Sequence, residues 1–218
     1  MSNAFVFDMD GVLIDNESNW TRLEQEMIFP ELFGKEIGDK MGQLTGLGLE
    51  AIYERAVGFG FKMGKEPYLT AWDRYAEKVY KDSEITEGIE KLAQFLIDND
   101  FKLGLVSASP LLWINWVLDR ISFRKSLDVI ISIQERPDLH HKPAPDGYLE
   151  AIKKLGSNPG KTIILEDSNT GIQSGKAAGA FVIGLKQNLV PGYVQIGADV
   201  YAEKVSEVSK FLEERNVM

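Results

Sequence analysis

Apolar positions along the chain follow two rhythms. Unbroken runs of strand length occur at Ala4–Phe7, Lys102–Val106, Asp128–Ile133, Thr162–Leu165, Phe181–Leu185 and Asp199–Ala202. They are rich in Val and Ile and apolar at successive positions, as strands of a parallel sheet covered on both faces are. Between them, Gly88–Asn99, Gly147–Leu155, Asn169–Ala178 and Glu203–Glu214 have helical spacing. Strand–helix alternation predicts a doubly wound α/β fold with a parallel sheet.

One stretch breaks the alternation. From Asn16 to Ser83 no strand pattern occurs. Trp20, Leu23 and Met27 fall at i, i+3, i+7, and Leu49, Ile52, Tyr53 and Ala56 repeat that spacing. Pro67 fits a helix N1 position, followed by Leu69, Trp72, Ala76 and Val79. The pattern predicts a helical insertion over 16–83, set into a core formed by 1–15 and 84–218. The glycine-rich Gly34–Gly48 reads as a loop of the insertion, and Trp20 and Trp72 as its core.

Composition adds exclusions. The 218 residues are 44% hydrophobic and 26% charged, ordinary for globular domains. A net charge of −9, with a pI near 4.9, argues against nucleic-acid backbones and anionic membranes as partners. No cysteine is present, which removes disulfides, thiolate nucleophiles and zinc–cysteine sites, and fits a cytoplasmic protein. No signal-peptide pattern and no run of roughly 18 apolar residues is found. A monomer, or at most a weak dimer, is expected.

The polar residues at the strand exits carry the chemical signal, because open α/β sheets bind ligands beyond the carboxyl ends of their strands. Asp8 and Asp10 follow the first run, and Ser107 and Ser109 the second. Lys142 comes after the third, and Glu166 and Asp167 end the fourth. Two carboxylates about 4 Å apart repel by roughly 4 kcal/mol at an effective dielectric near 20, so converging acids need a cation. All-oxygen ligands suit Mg²⁺. Beside it a carboxylate can attack phosphorus, and a second carboxyl can protonate the leaving oxygen and then activate water. Gly11 permits the tight turn between the two aspartates. Ser168 or Asn169 can cap the following helix. Gly171, Gly175 and Gly179 read as close helix–sheet packing, and His140 and His141 as exposed loop residues.

These stretches resemble the haloacid dehalogenase superfamily, in its phosphatase and phosphomutase branch. "FDMDG" matches the first motif, which implies Asp8 as nucleophile and Asp10 as general acid/base. "LVSAS" resembles the second, implying Ser107 on the phosphate, and "KPAPDGY" the third, implying Lys142 between nucleophile and phosphate. "LEDSNTGIQSGKAAG" resembles the fourth. The implied magnesium ligands are Asp8, the Asp10 carbonyl, Glu166 and Asp167, with amides near Met9 and Ala108 on the phosphoryl oxygens. The implied fold is a Rossmann-like core with an α-helical cap, and the implied partner a small phosphorylated metabolite.

"LIDNESNW" and "SASPL" are similar to bacterial phosphatases of 2-deoxyglucose 6-phosphate and of sugar or hexitol phosphates. β-Phosphoglucomutase is the runner-up. The chain has Trp20 where that family has a cap histidine, and "QLTGLG" lacks the cap arginine. A non-catalytic metabolite-binding module is a further alternative, against which the intact Asp8/Asp10 pair argues. A dinucleotide-binding oxidoreductase would need its glycine fingerprint after the first strand, where Asp8–Gly11 stands; Gly46–Gly48 follows no strand.

Overall fold

The computed structural model describes residues 2–42, 44 and 47–214. Gln43, Thr45 and Gly46, part of the stretch on which the cap-arginine and Gly46–Gly48 readings rest, lie outside the described residues. The six expected strands are present as β1 (Ala4–Phe7), β4 (Lys102–Ser107), β5 (Leu127–Ser132), β6 (Thr162–Glu166), β7 (Phe181–Leu185) and β8 (Val200–Ala202). They form one sheet in the order β5-β4-β1-β6-β7-β8, every neighbouring pair parallel. β1 is central: Phe7 is in register with Leu105 of β4 and with Leu165 of β6. Three adjacent strands therefore end at one level.

Residue alternation divides the core into two layers. Phe5, Phe7, Leu103, Leu105 and Leu165 pack in the layer with α5 (Ile89–Asp98), α6 (Leu111–Leu118) and α9 (Val205–Glu214). Val6, Val106, Ile164 and Val182 pack in the layer with α7 (Asp146–Lys154) and α8 (Asn169–Ala177). Each fully buried large side chain contributes about 1.5–3 kcal/mol. Coverage on both faces is why the strands read as unbroken apolar runs. The architecture is a Rossmann-like α/β core.

The stretch 16–83 is helical. The chain leaves through β2 (Ile14–Asp15) and forms α1 (Glu17–Leu23), a π-helical segment Glu24–Phe33, α2 (Lys35–Met41), α3 (Leu49–Gly58) and α4 (Lys65–Asp82). It returns through β3 (Glu84–Ile85), antiparallel to β2, with Ile14 opposite Ile85 and Asp15 opposite Glu84. Pro30, without an N–H for a helical bond, lies inside the wider π-helical turns.

Several expectations need correction. Gly34–Gly48 is not all loop, because α2 occupies Lys35–Met41. Its bounding glycines, Gly34 and Gly42, take φ of +74° and +68°, so they end the helix rather than dissolve it. Pro67 is the third residue of α4, not the first, still within the turn that tolerates a missing N–H. Helix α6 was not anticipated: "LLWINWVL" is apolar almost throughout and shows no period. Of the α8 glycines, Gly175 packs on Val182 and Ile164, whereas Gly179 makes a left-handed turn past the helix end.

Candidate active site

The site is built where β4, β1 and β6 end. The Asp8 N–H donates to the Leu165 carbonyl at 3.0 Å, extending the ladder one residue beyond β1. The chain then turns sharply: the Leu13 N–H donates to the Met9 carbonyl at 2.8 Å, and Gly11 takes φ +70°. Met9 is fully buried. The Asn16 side chain accepts from the Gly11 N–H at 3.1 Å, and Asn188 donates to the Gly11 carbonyl at 3.0 Å. Gly11 is required, since a Cβ there would run into the Asp167 carboxylate.

Asp8, Glu166 and Asp167 each offer a carboxylate oxygen within 4.8 Å of the others, and all three residues are buried. Lys142 enters from the segment ahead of α7, its Nζ 2.7 Å from Asp8 Oδ1 and 2.5 Å from Glu166 Oε1. Glu166 is saturated. Oε1 accepts from Lys142 and the Tyr148 hydroxyl, and Oε2 accepts from the Asp167 and Ser168 N–H groups and the Ser168 hydroxyl. Ser168 also caps α8, accepting from the Gly171 N–H. A Cβ on Gly171 would fall inside the Glu166 carboxylate, which is the packing this glycine serves. By contrast, Asp167 Oδ2 is buried with no hydrogen-bond partner among the described residues.

The electrostatics follow from this crowding. Burial pushes the Asp8 carboxyl well above its ordinary value, Glu166 adds to the rise and Lys142 opposes it. Burial does the same to Asp167, with Glu17, Glu166 and Asp8 adding to it. Burial works against the Lys142 charge, but Asp8 and Glu166 outweigh it and hold the ammonium above its usual range. The three clustered carboxylates face one ammonium, and Glu17 adds further negative charge near Asp167, so the cluster calls for a cation of more than one charge. The donor set is all oxygen and one buried oxygen is open, so the residues fit a hard cation such as Mg²⁺.

Asp10 is not one of this cluster and is held in a net of donors. Asn16 Nδ2 and the Tyr80 hydroxyl reach its Oδ1 at 2.5 and 2.6 Å, and the Ser109 hydroxyl reaches Oδ2 at 2.8 Å. Burial, then Asp10, raises the Tyr80 hydroxyl well above its ordinary value, so it stays a donor. Asn16, Tyr80 and Tyr148 were not foreseen. Tyr148 closes the quoted "KPAPDGY", but nothing local marks Tyr80, which reaches Asp10 across 70 positions of sequence.

Ser107 is buried, its hydroxyl accepting from the Ser109 N–H at 3.0 Å, while Ala108 and Ser109 face the cavity. That cavity, about 100 Å³, is several times the ~10–15 Å³ one water needs. Asp8, Asp10, Lys142 and Asp167 all line it. Trp20 and Trp72 line it too, so they are cavity wall as well as core. His140 is exposed and pairs with Asp146. His141 is half-buried beside Gly48, with its imidazole lowered by burial. Neither histidine joins the acid cluster. Among the described residues no helix is long and apolar enough to cross a membrane.

Residues 3–179 match the family model of haloacid dehalogenase-like hydrolases. Hexitol phosphatase B of Escherichia coli (strain K12) is 30% identical over 179 residues, 80% of this chain and 79% of that protein. A phosphorylated carbohydrates phosphatase of Thermotoga maritima is 25% identical, covering 97% of this chain and 98% of its own. A crystal structure of a conserved haloacid dehalogenase-like protein from Agrobacterium tumefaciens superposes with a TM-score of 0.73 at 18% identity, covering 99% of this chain and 100% of that one. With Asp8 at the end of β1, the acid cluster and the bridging lysine all inside the matched span, the chain belongs to the haloacid dehalogenase-like hydrolase family and is an enzyme of that family.

Proposed function

We propose that this hydrolase cleaves the phosphoric monoester of a small sugar or polyol phosphate, with Mg²⁺, through an aspartyl-phosphate intermediate. The observation that carries the reading is the pairing of a lysine-bridged nucleophile, Asp8, with a separately held carboxyl, Asp10, two residues away. The names of the E. coli and T. maritima relatives support the substrate class.

Asp8 attacks phosphorus, and its oxygen replaces the leaving alkoxide. Asp10 gives that alkoxide its proton, then takes one from the water that hydrolyses the acyl phosphate. Lys142 neutralises charge on Asp8 and on the incoming phosphoryl oxygens. Ser107 sets the Ser109 amide, and with the amides near Met9 and Ala108 frames the phosphoryl oxygens. Asp8, Asp167 and the Asp10 carbonyl would hold the metal, with Glu166 alongside, its oxygens committed to fixing Lys142 and the Asp167 turn. When bound, Mg²⁺ supplies positive charge to the transferring group. In this reading residues 16–83 are a cap domain over the core of 1–15 and 84–218, and exclude water while substrate is engaged.

The mutase alternative has less support, since Lys142 is the only cation among the described residues lining the cavity, and a bisphosphate needs a second. The test is phosphate release from a panel of phosphorylated metabolites with Mg²⁺ or chelator. Asp8→Asn is expected to lose turnover at least 10³-fold, as removal of a covalent nucleophile does, and to keep its melting transition. Mg²⁺-dependent release at wild-type rates by this variant would refute the assignment.

A further inference from the structure

Glu17, Trp20, Thr21 and Glu24 all line the cavity that holds Asp8 and Lys142. Their spacing of i, i+3, i+4, i+7 makes them one face of one helix. Glu24 ends the row, where α1 passes into the π-helical segment, a change of winding that often marks functional positions. Glu24 and Thr21 also border the neighbouring groove against Val190–Tyr193, so they stand where the cavity meets the outside. The Glu24 carboxyl is half-buried, and burial alone perturbs it, with no charged or hydrogen-bonding partner among the described residues. Beside the polar residues, the same cavity has apolar wall: Leu44, Leu49 and Ile52, and Trp20 packed 5.7 Å from Trp72 and 5.6 Å from Trp113.

We propose that Glu24 is the specificity-determining residue of this cavity, binding uncharged hydroxyls of the leaving group and turning away leaving groups that carry a second anion. The inference rests on the phosphatase reading above. Burial pushes the carboxyl up to about 8, so at neutral pH it is a neutral acid that donates from one oxygen and accepts at the other. Two hydroxyls on adjacent carbons satisfy both. The indole wall takes the C–H face of the same group. A carboxylate or second phosphate there would be buried with no counter-charge, since Lys142, the one cation among the described lining residues, is engaged by Asp8 and Glu166.

The experiment compares kcat/KM for hexitol 6-phosphate, p-nitrophenyl phosphate and 2-phosphoglycolate in wild type, Glu24→Leu, Glu24→Gln and Glu24→Lys, each confirmed folded by its melt. Glu24→Leu is expected to lower the hexitol-to-nitrophenyl ratio by about tenfold or more, the loss for a buried hydroxyl left unpaired. Glu24→Gln, which still donates and accepts, should keep the ratio within about threefold, and Glu24→Lys should raise relative turnover of phosphoglycolate. Should Glu24→Leu not fold, the contrast between Glu24→Gln and Glu24→Lys decides alone. Ratios that do not move, or that fall as far in Glu24→Gln as in Glu24→Leu, overturn the assignment while leaving the phosphatase reading in place. A wild type that hydrolyses none of the three removes both.

Discussion

Glu166 and Asp167 are neighbours in sequence with opposite situations: one accepts from five donors, the other keeps a buried oxygen with none. An unpaired buried carboxylate costs stability whenever no cation is bound. Asp167→Asn is therefore expected to melt higher than wild type in chelator, by about 1–3 kcal/mol, and to respond less to added Mg²⁺, which is expected to raise the wild-type melt. Calorimetry with and without metal checks both. Glu24 gives a pH prediction. Its folded value of about 8 stands above an ordinary 4.5, so the folded state holds the proton across that window. Stability then falls as pH rises from about 4.5 to 8, and Glu24→Gln should gain on wild type over the same range, levelling above it, by about 1–3 kcal/mol after solvent screening. The acids and Lys142 were legible in the sequence because each follows a recognisable strand or motif. Asn16, Tyr80 and Ser109 as partners of Asp10 were not, because partnership between distant positions leaves no local pattern.

At the scale of elements, the six sheet strands and the core helices other than α6 matched their predicted ranges within a residue or two, since burial on both faces writes an unmistakable apolar run. The insertion was legible only as helical. Its glycines looked like loop, yet two of them bound a helix and Gly38, between them, packs against Phe29. Helix α4 matters most for the site, because it carries Tyr80 near its end. Arg120 fixes that end, donating to the Tyr80 and Ser83 carbonyls at 2.5 and 2.7 Å. Cations commonly satisfy the last carbonyls of a helix this way. Arg120→Ala should cost about 1–2 kcal/mol by denaturant melt, and it should lower kcat more than it raises KM, because the Tyr80 donor to Asp10 loosens. An unchanged kcat would separate the helix end from the chemistry.

For the whole molecule, the register of β1 with β4 and β6 brings residues far apart in the chain to one level, and the tightly paired β2–β3 ribbon joins the helices to it. Departure and return of the insertion lie side by side, one residue pair wide at Asp15 and Glu84. The helical portion is thus a detachable accessory in the covalent sense: a different set of helices could be spliced across the same doorway without moving a single sheet strand. Such a transplant must bring its own equivalents of Asn16 and Tyr80, or Asp10 loses two of its three anchors.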